Sequence, residues 1–332
     1  VTLADSLSRE DNEVQALEVL KHAKSVVAPA LTQVTRRLGD ELTPLIDHHL
    51  VIGGKHVRAC LALLSAEAAG ARDDVGFAGA LAIELVHNFS LIHDDIIDRD
   101  LERRHHPTVW AAFGAGPAII AGDALSTLAF QVLLEDSSEH RLAASARLAS
   151  ATQAMIIGQA QDVAFESRDY LSVEECLEME AGKTGALLSC AACIGAILAG
   201  ASSLVVDALA SYGAHLGFAF QAVDDLLGVW GDPAVTGKPV GNDLRMRKKT
   251  LLIAIANAKG FDVFDGEGGD LSDAEVAEAM VLLEECGARF EATEIAEREL
   301  RAALEDLESA PLDPTARDKL AVVARYVVER DQ

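Results

Sequence analysis

Aromatic residues make up only 5% of the 332 positions, and prolines number 8. An Ala- and Leu-rich chain with so few aromatics and breakers favours helices throughout over sheets. Positive charge is also scarce, with 28 Lys and Arg against 53 Asp and Glu, a formal net charge of −25. That balance argues against nucleic acid and against an anionic membrane surface as partners, because both call for basic patches. The five cysteines, Cys60, Cys176, Cys190, Cys193 and Cys286, are an odd and scattered set, which speaks against a disulfide framework and for a reducing cytoplasm. Cys190 and Cys193 form a CxxC, but without a second pair or a nearby His they read as core packing rather than a zinc or redox site. The uncharged stretch from Thr184 to Val206 could mimic a membrane span. It is broken by GASS at Gly200 to Ser203, so the expectation is a pair of buried helices and no integral membrane segment. The start, VTLADSLSREDNEVQ, is acidic where a secretory leader needs basic residues and an apolar run. No polar linker divides the chain, so residues 1–332 are expected to form a single domain.

What the chain does have is chemistry concentrated in LIHDDIIDRDLERRHHPTVW, residues 91–110. The preceding apolar residues Leu81, Leu85, Phe89 and Ile92 recur at helical spacing, which carries the helix through Asp94, Asp95 and Asp98. Asp94 and Asp98 then share a face, where two carboxylates repel each other by a few tenths of a kcal/mol. Oxygen-only ligands suit a hard cation such as magnesium bridging to phosphate oxygens; a solvated acidic helix end is the alternative. Arg103 and Arg104 follow within a few residues, and guanidinium forks are preferred phosphate partners. Carboxylates for a metal beside arginines for a phosphate describe a diphosphate site.

Other stretches add to it. In IGGKHVR, Gly53 and Gly54 mark a loop, and Lys55 and Arg58 follow at a helix start as a second phosphate clamp. His87 lies about two turns before Asp94 and reads as a phosphate contact. A helix over 111–135 and another over 140–165 lead to GQAQD, where Gln159, Gln161 and Asp162 interrupt an apolar pattern. GKTGALL places Lys183 and Thr184 between glycines at a helix entry. FQAVDD sets Gln221, Asp224 and Asp225 on an apolar helix, an internal echo of the first acidic pair. Lys238, Asp243, Lys248 and Thr250 follow in a Gly- and Pro-bearing loop and the next helix.

Taken in order, GGKHVR, HNFSLIHDDIIDRDLERR, GQAQD, GKTGALL, FQAVDD and GKPVGNDLRMRKKT resemble the polyprenyl synthetase family of trans-isoprenyl diphosphate synthases, over about residues 45–255. The resemblance implies an all-α, single-domain antiparallel bundle around a deep central cavity, usually a homodimer. It implies magnesium ligands at Asp94, Asp95, Asp98 and Asp224, with Asp225 a supporting acid. Arg103, Lys183, Lys238 and Lys248 correspond to contacts with an allylic diphosphate. Lys55, Arg58, His87 and Arg104 correspond to the isopentenyl diphosphate pocket, and Thr184 and Gln221 to positions beside the reacting carbons. Arg330, near the C-terminus, is expected to stay away from the site. His56, Ala59, His105 and Gly228 depart from the pattern, standing where many relatives have Arg, Pro, Gly and Asp. Gly228 leaves the second acidic motif one carboxylate short, so a higher magnesium requirement is expected.

The implied reaction ionises an allylic diphosphate and adds isopentenyl diphosphate to the cation. Ser90, directly below Asp94, and Phe89, turned aside, are expected to set product length, with geranylgeranyl diphosphate favoured over farnesyl or longer products. A class I terpene cyclase is disfavoured because Asp224 onward, DDLLGVWGD, lacks that group's Ser/Thr and Glu. A non-catalytic partner subunit is disfavoured because the first acidic motif is intact.

Overall fold

The computed structural model describes residues 9–168, 170–233, 239–264 and 269–329; Lys238 and Arg330 lie outside them. Nearly all of it is helical: α1 Arg9–Thr35, α2 Thr43–Val51, α3 Val57–Ala68, α4 Asp73–Ile97, α5 Val109–Phe113, α6 Ala115–Leu133, α7 Glu139–Phe165, α8 Val173–Glu180, α9 Ala186–Leu198 and α10 Ser203–Trp230. Four more follow, α11 Asn242–Arg245, α12 Leu251–Ala258, α13 Asp273–Glu285 and α14 Ala288–Glu308, and α15 Pro314–Val328 closes the chain. The helix starts are written into the sequence. Ser138 Oγ accepts from the Arg141 N–H at α7, and Ser172 with Glu175 and Ser272 with Glu275 form reciprocal capping boxes at α8 and α13.

The bundle is built around α9, where every residue from Leu187 to Ala196 is buried. It packs against α3, α4, α7 and α10. Small residues let those neighbours come close, and the Gly195 N–H donates to Ser65 Oγ of α3 at 3.0 Å. Each fully buried Leu or Ile in this layer contributes roughly 1.5–3 kcal/mol. Tyr212 of α10, fully buried, donates its hydroxyl to the Leu320 carbonyl of α15 at 2.9 Å and ties the C-terminal helix to the core. All five cysteines are free and buried, Cys190 and Cys193 within α9, as core residues.

The structure differs from the sequence reading in four places. The helix expected over 111–135 is two, α5 and α6, because Gly114 takes φ 92°, a conformation that ends a helix and that only glycine adopts freely. The loop after Arg103 contains a two-residue hairpin, Glu102–Arg103 paired with His106–Pro107, with Arg104 and His105 both at positive φ in its turn. Lys183 is not at a helix entry: Ala181–Gly185 forms a π turn that runs unbroken from α8 into α9. Finally, among the described residues four helical spans rather than one stretch are long and apolar enough to cross a membrane, among them α4 and α10.

Candidate active site

Helix α4 ends at the first acidic motif, with Asp98 as its C-cap. Asp94 is partly buried, and burial lifts its carboxyl to about 6; Lys183 opposes the rise and Asp98 adds to it. Asp95 points elsewhere. It is 1% exposed, and its Oδ1 accepts from Arg103 Nε and Nη2, both at 2.8 Å. Adjacent helical residues point about 100° apart, so one member of the pair faces the opening while the other is tied to the arginine. Asp95 was expected to be a metal ligand. Here its Oδ1 holds Arg103, and its Oδ2 is buried and unpartnered. The hairpin carrying Arg103 is anchored by Thr108 Oγ1 and Trp110 Nε1, each donating to the Asp100 carbonyl at 2.8 Å.

A cationic pocket lies beside this end. Burial and then the charges of Arg58, His49, Arg103 and Arg104 push His87 well below the ordinary imidazole range. Burial also lowers Arg58, against the pull of Glu84, and its Nε is buried without a partner. Such an unsatisfied cation is a standing invitation to an anion. His49, buried on α2, is driven down to about 4 by burial first and then by Arg103, so it stays neutral among the arginines. Arg104 donates to the Gly53 carbonyl and braces the glycine loop. Lys55 is exposed, with Nζ 4.9 Å from the centre of the Tyr326 ring. His56 explains its departure from Arg: its backbone is left-handed and its Nδ1 lies 3.0 Å from buried Glu84, which also accepts from the Ala59 N–H.

The π turn supplies the third part. Gly158 of α7 lies so close that a Cβ there would stand 2.2 Å from the Lys183 backbone nitrogen, so the glycine lets α7 seat the turn. Lys183 Nζ then meets Asp162 Oδ2 at 2.5 Å. Burial works against its charge, but Asp162, Asp94 and Asp98 together hold the ammonium above its usual range. Thr184 Oγ1 donates to Gln221 Oε1 at 3.0 Å, and Gln221 Nε2 donates to Asp225 Oδ1 at 2.9 Å. Asp225 Oδ2 accepts from the Leu251 N–H at the start of α12 at 2.8 Å. Both oxygens of Asp225 are therefore engaged within the protein. Burial raises it to about 7 against those two bonds.

On α10 the pair divides as on α4: Asp224 is exposed and Asp225 is 4% exposed. Gly228, read as a missing carboxylate, has a spatial explanation. A Cβ there would stand 2.0 Å from Asp243 Oδ2, so the Asp243 carboxylate from α11 fills the place a side chain would take. Lys248 Nζ lies 3.9 Å from Asp243 Oδ1 and feels the charges of both Asp243 and Asp98. Lys183 feels Asp94 and Asp98 while Lys248 feels Asp98 and Asp243, so the two lysines lie between the two acidic motifs. The variant Gly228→Asp is expected to restore the motif in letter and damage it in fact, lowering stability by about 1–3 kcal/mol through overpacking and like-charge repulsion. Thermal melts and activity of that variant check it.

Among the described residues no three His, Cys, Asp or Glu side chains stand close enough to hold a metal ion unaided. The sequence reading missed His49 and Glu180. Glu180, buried at the end of α8, is held well above the usual carboxylate range by burial and by Asp225, and it accepts from Cys176 Sγ at 3.3 Å. A carboxylate three residues before Lys183 was its one visible signal.

Known proteins share this architecture. The sequence model of the family described as Polyprenyl synthetase matches residues 40–263. A (2E,6E)-farnesyl diphosphate synthase of Mycobacterium tuberculosis is 42% identical, covering 95% of this chain and 94% of its own. A geranylgeranyl diphosphate synthase of the same organism is 36% identical, covering 89% and 90%. The crystal structure of a polyprenyl synthetase from Streptomyces coelicolor A3(2) superposes with a TM-score of 0.90 at 44% identity, covering 94% of this chain and 99% of that one. By the family match over most of its length and by these relatives, the chain belongs to the polyprenyl synthetase family and is an isoprenyl diphosphate synthase.

Proposed function

We propose that the protein condenses isopentenyl diphosphate with allylic diphosphates, with magnesium as the metal, and that its main product is geranylgeranyl diphosphate. The observation that carries the substrate reading is the buried, unsatisfied Arg58 Nε in a pocket shared with His87, Arg103 and Arg104, opposite the chamber walled by Asp94 and Asp224. Magnesium, when bound by Asp94, Asp98 and Asp224, supplies positive charge to the leaving diphosphate. Lys183 and Lys248 stand between the two walls and hold that diphosphate as the allylic C–O bond ionises. Arg58, Arg104 and His87 hold isopentenyl diphosphate, with Lys55 at the pocket mouth, and orient its double bond toward the cation. Thr184 and Gln221, locked by Asp225, line the place where the new bond forms. Apolar helix faces keep water from the cation.

Product length rests on the residues below Asp94. Ser90 is small and turns its hydroxyl back to the His87 carbonyl at 2.9 Å, which leaves room for a growing tail. Phe89 is 8% exposed and stands to the side as a wall. Farnesyl diphosphate is the second reading, favoured by the 42% identical relative that bears that name. Chromatography of dephosphorylated products from the wild type decides between them. Phe89→Ala is expected to lengthen the product by at least one isoprene unit, and an unchanged profile contradicts the ruler.

A homodimer is part of the same proposal. Phe113, Ile119, Ile120, Leu142, Ile156 and Ile157 of α5, α6 and α7 are 40–58% exposed, a larger apolar surface than a lone subunit usually shows. The long apolar helices are read as bundle helices, because Glu84, Asp94 and Asp95 on α4 would be costly in lipid. The five buried free thiols support a cytoplasmic setting.

A further inference from the structure

His93, between the apolar and acidic parts of α4, is used by none of the steps above. Its ring meets Phe89, one turn earlier, edge-on, with centroids 5.0 Å apart and planes at 79°. Its Nε2 lies 3.1 Å from the Ile119 carbonyl of α6, so the imidazole is pinned to the neighbouring helix while packed against Phe89. The surface it lies on is Gly122. A Cβ at that position would stand 2.3 Å from Nε2, so the ring occupies the space that any other residue would fill.

We infer that His93 is a positioning residue for product length: pinned to α6 over Gly122, it fixes the orientation of Phe89 and so the width of the channel beneath Asp94. This rests on the ruler reading of Phe89. On a helix an aromatic side chain has two favoured χ1 settings, and the alternative is blocked only if a neighbour fills the space. With His93 in place, Phe89 stays at the side wall. Without it, the bare surface of Gly122 offers the phenyl ring a place to tilt, and the channel widens. The hydrogen bond ends on the backbone of Ile119, whose side chain is 45% exposed on the apolar face of α6, so the width of the channel is tied to the helix on which that face sits.

The test is the product profile of the full-length protein with dimethylallyl and isopentenyl diphosphates, for the wild type, His93→Ala, His93→Gln, Phe89→Ala and the His93→Ala/Phe89→Ala double variant. His93→Ala is expected to shift the mean product upward by at least one isoprene unit, and the double variant to go no further than Phe89→Ala alone. His93→Gln keeps a donor for the Ile119 carbonyl but loses the ring, so it should fall between. If Phe89→Ala lengthens the product and His93→Ala does not, the role of His93 is overturned while the ruler stands. If Phe89→Ala changes nothing, the ruler itself fails, and with it any action of His93 through that ring. Should His93→Ala not fold, Gly122→Ala replaces it, since its methyl displaces the imidazole; an unaltered profile there overturns the inference equally.

Discussion

Asp94→Ala is expected to lower kcat by about 10²–10³-fold or more while leaving the helical fold intact. The carboxylate faces the chamber, and Lys183, Asp98 and Asp162 all act on it. On the proposed reading its removal takes one oxygen donor from magnesium, and it leaves Lys183 held more strongly by Asp162. Helix α4 loses little, because the repulsion between Asp94 and Asp98 disappears with the side chain and returns a few tenths of a kcal/mol. The checks are steady-state rates at rising magnesium and far-ultraviolet dichroism. Retained activity at ordinary magnesium would contradict the role given to Asp94. Asp95→Ala should behave differently: it frees Arg103, so the loss should include stability as well as rate.

The second large effect is on substrate affinity. Arg58→Met is expected to raise KM for isopentenyl diphosphate by about 10²-fold, the loss of a charge-assisted contact to phosphate of about 3 kcal/mol. The allylic substrate, which the proposal assigns to Lys183 and Lys248, should be affected far less. The same change should leave the melting temperature unchanged or raise it. Arg58 carries a buried Nε without a partner, and replacing a buried charge by an apolar side chain of similar length is often neutral or stabilising. Glu84 keeps His56 and the Ala59 N–H, so it is not stranded by the substitution. A site kept at a cost to stability is what a binding function predicts. A KM rise shared equally by both substrates would contradict the division of the two diphosphate pockets.

Much of this was legible in the sequence because the chemistry sits on long helices of regular period. Asp94 and Asp98 share a face by spacing alone, and Asp224 echoes them from an equally apolar helix. What spacing does not give is direction within a pair. Asp94 and Asp95 look equivalent as letters, and only the hairpin that brings Arg103 back against α4 assigns one to the opening and the other to a buried ion pair. The π turn at Ala181–Gly185 was marked by its glycines, but its extra residue per turn depends on how α7 presses against it. The replacement at Gly228 was invisible because Asp243 meets it from a separate helix, α11, and a contact between elements leaves no periodic trace. His49 was missed for a related reason: a histidine pair on a short helix becomes meaningful only once Arg103 and Arg104 fold over it.

The most direct test of the whole account is the magnesium-dependent heat of binding of inorganic pyrophosphate, measured by titration calorimetry for the wild type, Asp94→Ala, Asp224→Ala and the double variant. If α4 and α10 serve one site, each single change should weaken binding strongly and the double variant should lose little more than either, a marked departure from additivity. Independent, additive losses would mean that the two acidic helices serve separate sites, and the account would fail.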